Sequence, residues 1–264
     1  MTSSAEVDVL WSVLRPLLMS MPRILAATLI APLFPPSFFP MLVRSTLTVA
    51  LALAIYPHFA ADQLLVSQAP LAWLALLGKE FLLGALIGFA VGVLIWVFEG
   101  VGAVIDVQVG LSNSLLFDPF GGHQGGPFAA FMVQLAVILF VCGGGLQVFV
   151  SLLYESFVLW PVASFYPRLD SWIAGFGSEY LGSLAQLLVQ LAAPVILLLV
   201  LIDLGFGLLN RVVPQLNVFF FTMPIKGVLA ALMIALYLSY LVDIVGAQLG
   251  ELRTVLERLA PLGP

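Results

Sequence analysis

Six stretches of this chain, roughly residues 9–34, 39–60, 70–98, 128–150, 185–209 and 217–245, are each apolar over about 20 residues or more. A helix of that length covers the hydrocarbon core of a bilayer, and six such runs leave too little polar sequence to solvate a fold in water. Composition points the same way: 62% of residues are hydrophobic and 9% charged, with a mean hydropathy of +1.16. The expectation is an all-α polytopic membrane protein with about six hydrophobic segments arranged as kinked helical hairpins, because only closed backbone hydrogen bonding survives in lipid. A net charge of -5 and a pI near 4.8 exclude the clustered basic surface of a nucleic-acid partner. The N-terminal MTSSAEVDVL has no basic region of a cleavable signal, so the first span is expected to stay in the protein. The single cysteine, Cys142, precludes an internal disulfide.

Charges and prolines disturb the early spans. Arg15 and Arg23 lie inside the first, which Pro16, Pro22 and Pro32 interrupt; Arg44 lies in the second, and Lys79 and Glu80 in the third. An ionisable group at membrane depth faces protein or water unless it snorkels from a helix end, and both readings stand for Arg15, Arg44 and Lys79. Neighbours on a helix do not face each other, so Lys79 and Glu80 are expected to reach different partners. Gly84, Gly88 and Gly92, four residues apart, make a smooth strip where another backbone can approach, either within one bundle or across a subunit seam. Trp11, Trp73, Trp96, Trp160 and Trp172 fall near predicted span ends, as expected of rings at the headgroup level.

Between the third and fourth spans lies the least regular stretch, Glu99 to Pro127. It carries Asp106, Gln108, Ser112, Asn113, Ser114, Asp118 and seven glycines. Glu99, Gly100 and Gly102 are expected to end the third helix, Asp118-Pro119 is a turn signal, and Gly121 through Gly126 lead to Pro127 at the first position of the next helix. Too polar for lipid and too apolar for water, this stretch is expected to form a re-entrant plug loop. Further on, Gly143 to Gly145 permit a bend, residues 166–183 suit an exposed connector, and Pro224 is expected to kink the sixth helix. Val245, Leu249, Leu252, Leu256 and Leu259 give the C-terminus an amphipathic helical period. The chain thus reads as one membrane domain, 1–264, made of helices one to three (1–98), a plug loop (99–127), helices four to six (128–245) and an amphipathic C-terminal helix (246–264). The distribution of Arg168, Arg253 and Arg258 against Arg211 favours a cytoplasmic C-terminus, which is the expectation.

No catalytic constellation is visible, and no cofactor is expected. His58 and His123 are the two histidines, and neither has a second metal ligand at convincing spacing. GGHQGG lacks the lysine and hydroxyl of a phosphate-binding loop.

Three segments together carry a family resemblance: MPRILAATLIAPLF (Met21 to Phe34), GAVIDVQVGLSNSLLFDP (Gly102 to Pro119) and GLLNRVVPQLNVFFFTMPIK (Gly207 to Lys226). In order and spacing the chain resembles the T component of the type III secretion export apparatus, whose flagellar counterpart is FliR. The ending MPIK is more similar to the virulence-type injectisome branch. The resemblance implies a multi-pass protein of the bacterial inner membrane that joins the R and S components, and the U component beside them, around a closed pore for unfolded protein substrates. It implies a pore-blocking plug over Asp106 to His123, with matching positions at Gln108, Gly110, Leu111, Ser112, Phe117, Asp118 and Pro119, to which Leu115 and Leu116 add apolar bulk. It implies assembly contacts for Arg23, Pro32, the Gly84, Gly88 and Gly92 strip, Asn210, Arg211, Pro214, Gln215, Pro224 and Lys226. Arg23 and Glu80 would then be buried against other subunits or a wet lumen. The competing reading is a secondary transporter with Asp106, Asp203 and Lys226 as a polar relay.

Overall fold

The computed structural model describes residues 2–33, 40–55, 70–111, 126–162, 172–213 and 218–259. Seven helices account for nearly all of them: α1 (Thr2–Ile30), α2 (Met41–Ile55), α3 (Pro70–Val109), α4 (Pro127–Cys142), α5 (Gly145–Leu159), α6 (Trp172–Val212) and α7 (Val218–Leu259). Among the described residues three helical segments are long and apolar enough to cross a membrane, Trp73–Val109, Gly182–Val212 and Phe220–Arg253, and the broken pair α4 and α5 would make a fourth if it enters as one span. Of the six expected segments, these three or four are the ones that qualify as spans among the described residues. Among the described residues, Leu17–Ile30 of α1 and Met41–Ala54 of α2 are shorter apolar helical stretches.

The boundaries differ from the sequence reading for identifiable reasons. Helix α3 continues ten residues beyond Glu99, to Val109. Gly100 and Gly102 do not break it, because their missing side chains leave room for neighbours: a Cβ on Gly102 would lie 2.5 Å from Ala129 Cα, and one on Gly100 would lie 2.7 Å from Leu188 Cδ1. Helix α6 begins at Trp172, inside the stretch expected to be a connector, and the amphipathic C-terminus is a continuation of α7. The break between α4 and α5 falls where the glycines permit it: Gly144 has φ 81, a left-handed conformation that glycine adopts at no steric cost. Pro127 opens α4 behind Gly126.

The chain divides into two compact units, residues 1–93, 144–173 and 249–264 in the first and 94–143 and 174–248 in the second. In the first, Met19, Ile24, Ala52, Phe157 and Val162 form a buried core flanked by Leu17, Met21, Leu51, Trp73 and Leu77, so that α1, α2, α3 and α5 share it. In the second, Leu94, Phe98, Val101, Ile105 and Val109 bury one face of α3, and Ala129, Met132, Ala136 and Phe140 one face of α4, both at the three-and-four spacing of a helix stripe. Ala230, Ile234, Leu241 and Val245 do the same on α7.

Candidate functional site

Two polar clusters sit inside otherwise apolar surroundings, one in each unit. The first is built on Arg23, whose side chain is fully buried. Its Nε and Nη2 donate to the two carboxylate oxygens of Glu80 at 2.7 and 2.8 Å. Its Nη1 donates to the carbonyl and hydroxyl of Ser156 at 2.8 and 3.2 Å, and Nη2 also donates to the Trp160 carbonyl at 3.0 Å. The guanidinium lies 4.1 Å from the ring centre of Phe157. Lys79 completes the cluster. Its Nζ pairs with Glu80 at 2.8 Å and donates to the carbonyls of Pro161 and Val162. Lys79 and Glu80 thus reach different partners, the Pro161 and Val162 carbonyls and Arg23 respectively, but they also pair with each other, so both cations share one carboxylate. Neither Arg23 nor Glu80 waits for another subunit or a wet lumen, since each is satisfied within this chain. Trp160, expected at the headgroups, is buried as well.

What lets Arg23 reach Glu80 is the glycine strip. A Cβ on Gly84 would run into the backbone carbonyl of Arg23, and one on Gly88 would lie 2.6 Å from the Ala27 carbonyl oxygen. Gly84 and Gly88 thus seat α3 on α1 within the chain, and Gly92 is buried one turn further on.

The second cluster lies where α3 ends and α4 begins. Asp106, on the last turn of α3, accepts hydrogen bonds from the backbone amides of Phe128 (3.1 Å) and Ala129 (2.8 Å) and thereby caps the N-terminus of α4 from another helix. Its carboxyl group fills the space where a Cβ on Gly126 would sit. Gly110, at φ 92, stops α3 in the left-handed conformation, and a Cβ there would lie 2.5 Å from Met223 Cε of α7. Lys226 of α7 donates to the Gln108 carbonyl at 2.8 Å and pairs with Asp203 of α6. Asp106 and Gln108 are therefore helical residues, and the residues proposed for a transporter relay are engaged as a cap and an ion pair.

The other assembly positions are spread apart. Pro32 lies half-buried in the turn after α1, Asn210 and Arg211 are exposed on the last turn of α6, and Pro224 is exposed inside α7. Leu111 is the last described residue after α3; Ser112, Leu115, Leu116, Phe117, Asp118, Pro119, Pro214, Gln215, His58 and His123 lie outside the described residues. Among the described residues, no three His, Cys, Asp or Glu side chains converge to hold a metal ion.

The sequence reading missed the roles of Ser156, Trp160 and Met223, and it missed Asp106 as a cap. One signal for the last was present: α4 opens with Gly-Pro-Phe-Ala and no local Ser, Thr, Asp or Asn cap, so its free amides need an acceptor from elsewhere.

An all-helical membrane protein with buried ion pairs between its helices is the class these features define. A profile of the family described as bacterial export proteins, family 1, matches residues 14–252, and the chain belongs to that family. It is 33% identical over 228 residues to the Yop proteins translocation protein T of Yersinia pestis, covering 84% of this chain and 87% of that protein. It is also similar to the flagellar biosynthetic protein FliR of Escherichia coli, 31% over 218 residues (80% and 81%), and to the surface presentation of antigens protein SpaR of Salmonella typhimurium, 29% over 201 residues (74% and 72%).

Proposed function

We propose that this chain is a core subunit of the inner-membrane export gate of a type III protein secretion system, forming part of the protein-conducting pore and supplying the plug that seals it at rest. The observation that carries this is the family match over 14–252, joined to relatives named for translocation and for flagellar biosynthesis. The R and S components, with the U component beside them, are the proposed partners, and unfolded proteins the proposed cargo. The injectisome branch is favoured by MPIK, ending at Lys226; identities of 33% and 31% to the two kinds of relative do not separate the branches.

A polypeptide pore must hold back ions between substrates and still open. Short apolar side chains dewet a lumen without bonding to it, and Leu111, Leu115, Leu116 and Phe117 are the proposed barrier. Support comes from its two roots: Asp106 ties the end of α3 to the start of α4, so the loop departs from and returns to one fixed point. Deleting Ser112 to Pro119 in cells that assemble the whole apparatus tests this. The expected result is loss of membrane potential with export partly retained; normal assembly with a membrane still tight to ions removes the plug from the function.

A further inference from the structure

We propose that α2 carries a binding site for an anionic phospholipid, with Arg44 taking the phosphate and the apolar flank beside it taking an acyl chain. This site needs only that the chain lies in a membrane, and it is independent of the pore and its plug.

Arg23 and Arg44 are both arginines inside apolar helices, and the fold treats them oppositely. The N–H donors of Arg23 are all engaged within the chain, whereas Nε of Arg44 is enclosed with no acceptor among the described residues. An enclosed donor without a partner is costly, and more so on a charged group. Its neighbours do not relieve it. The hydroxyls of Ser45 and Thr46 turn back to the Leu42 carbonyl and that of Thr48 to the Arg44 carbonyl, and the first turn of α2 has no acidic residue. The charge also lies at the positive end of the helix, where an anion is favoured and a cation is not. Arg44 therefore calls for an anion that α2 does not supply. Its place on the helix says which kind. Thr48 and Ala52, one and two turns on, are buried, Ala52 in the core shared with α1, so the half-buried Arg44 stands at the margin of that face and can be reached from outside. Met41, Leu42, Val43, Ser45 and Thr46 are exposed around it and span about 200° of the helix circumference. One packed helix covers a stripe of roughly 100°, while a lipid conforms to the whole. Next to the arginine, Val43, Leu47, Ala50 and Ala54 follow at four, three and four residues, an apolar track about 16 Å long. That is about half the hydrocarbon thickness, the depth of one leaflet. A phosphate held by the guanidinium fork, with its acyl chain along this track, satisfies both features.

The full chain in bilayers of phosphatidylcholine alone, and of phosphatidylcholine mixed with phosphatidylglycerol, tests this by melting temperature, which a ligand of the folded state raises. The wild-type chain is expected to melt higher in the mixed bilayer. Arg44→Met is expected to lose that rise, with the affinity read by titrating phosphatidylglycerol falling roughly ten- to a hundred-fold, the range for losing charged hydrogen bonds. In phosphatidylcholine alone the same variant is expected to melt no lower than wild type, because Nε has no bond in the fold to lose. Arg253→Met, at an exposed cation of α7, is expected to keep the whole rise. An equal rise in Arg44→Met overturns the proposal, and so does its loss in Arg253→Met, which would mean bulk charge only. A lower melting temperature of Arg44→Met in phosphatidylcholine alone makes the residue structural and likewise overturns it. The same rise from inorganic phosphate added to phosphatidylcholine bilayers assigns the site to a free anion and removes the lipid. If Arg44→Met keeps the rise but loses co-purifying membrane proteins, a partner's carboxylate is the occupant and the lipid site falls.

Discussion

Taking Arg23 out of water costs several kcal/mol, and the chain offsets this by using all five N–H donors of the guanidinium. The charge balance of the cluster, two cations on one carboxylate, is completed by the carbonyl end of α5, which carries partial negative charge. The three residues are consequently not equivalent. Arg23→Met leaves Lys79 and Glu80 as a neutral pair, whereas Glu80→Gln leaves a buried arginine beside a partly buried lysine with no carboxylate between them. Removing one partner of a buried pair costs about 3 to 5 kcal/mol. We expect Glu80→Gln to sit at or above the top of that range and Arg23→Met at or below its foot, read as loss of folded yield and of melting temperature in detergent. Equal losses in both variants would show that the charge balance is not what the cluster supplies. The sequence marks Arg23 as anomalous but not its partner: Glu80 is 57 positions away, and only the backbone contact at Gly84 brings them together.

Helix α3 is the element on which both clusters depend, and its glycines differ by where they fall. Gly84 and Gly88 meet the backbone of α1, which cannot yield, while Gly78 on the same helix has nothing within 4 Å of its would-be Cβ. Alanine at 84 or 88 is expected to destabilise by about 1 to 3 kcal/mol through overpacking. Alanine at 78 is expected to be neutral or to stabilise by about 0.5 to 1 kcal/mol. A thermal shift series on the three variants checks this, and a loss at Gly78 as large as at Gly88 would contradict it. Periodicity makes such a strip legible from sequence, but it does not say which helix lies against it. The same limit explains the early end assigned to α3: Gly100 and Gly102 look like breakers in one dimension, and only the approach of Leu188 and Ala129 shows that they are contact points inside a helix. The three long apolar helices were legible because length and hydropathy alone decide them. The cap on α4 was not, because its acceptor lies more than twenty residues upstream on another helix.

For the molecule as a whole, the most apolar part of α3 is 67% buried, against 28% for α6 and 22% for α7. Leu204, Leu208, Phe220, Val228 and Leu236 are more than half exposed on those two helices. In the proposed apparatus that face meets lipid or the R and S components. A photoreactive residue at Leu208 or Leu236 is expected to give adducts with those components, whereas one at Leu199, which is fully buried, is expected to give none. Adducts with lipid alone at both exposed positions would place the partners elsewhere. The break at Gly143 and Gly144 bears on how such a chain enters the membrane at all. Helices α4 and α5 have 16 and 15 residues, so each extends only about 24 Å or less against a hydrocarbon thickness of about 30 Å. A nascent chain is sorted segment by segment, and neither half can commit to a crossing by itself. Among the described residues the candidate spans number three, or four if the two enter as one. One crossing more or fewer at this break would reverse the side of the membrane that receives everything after α5, whatever the arginines between the spans favour.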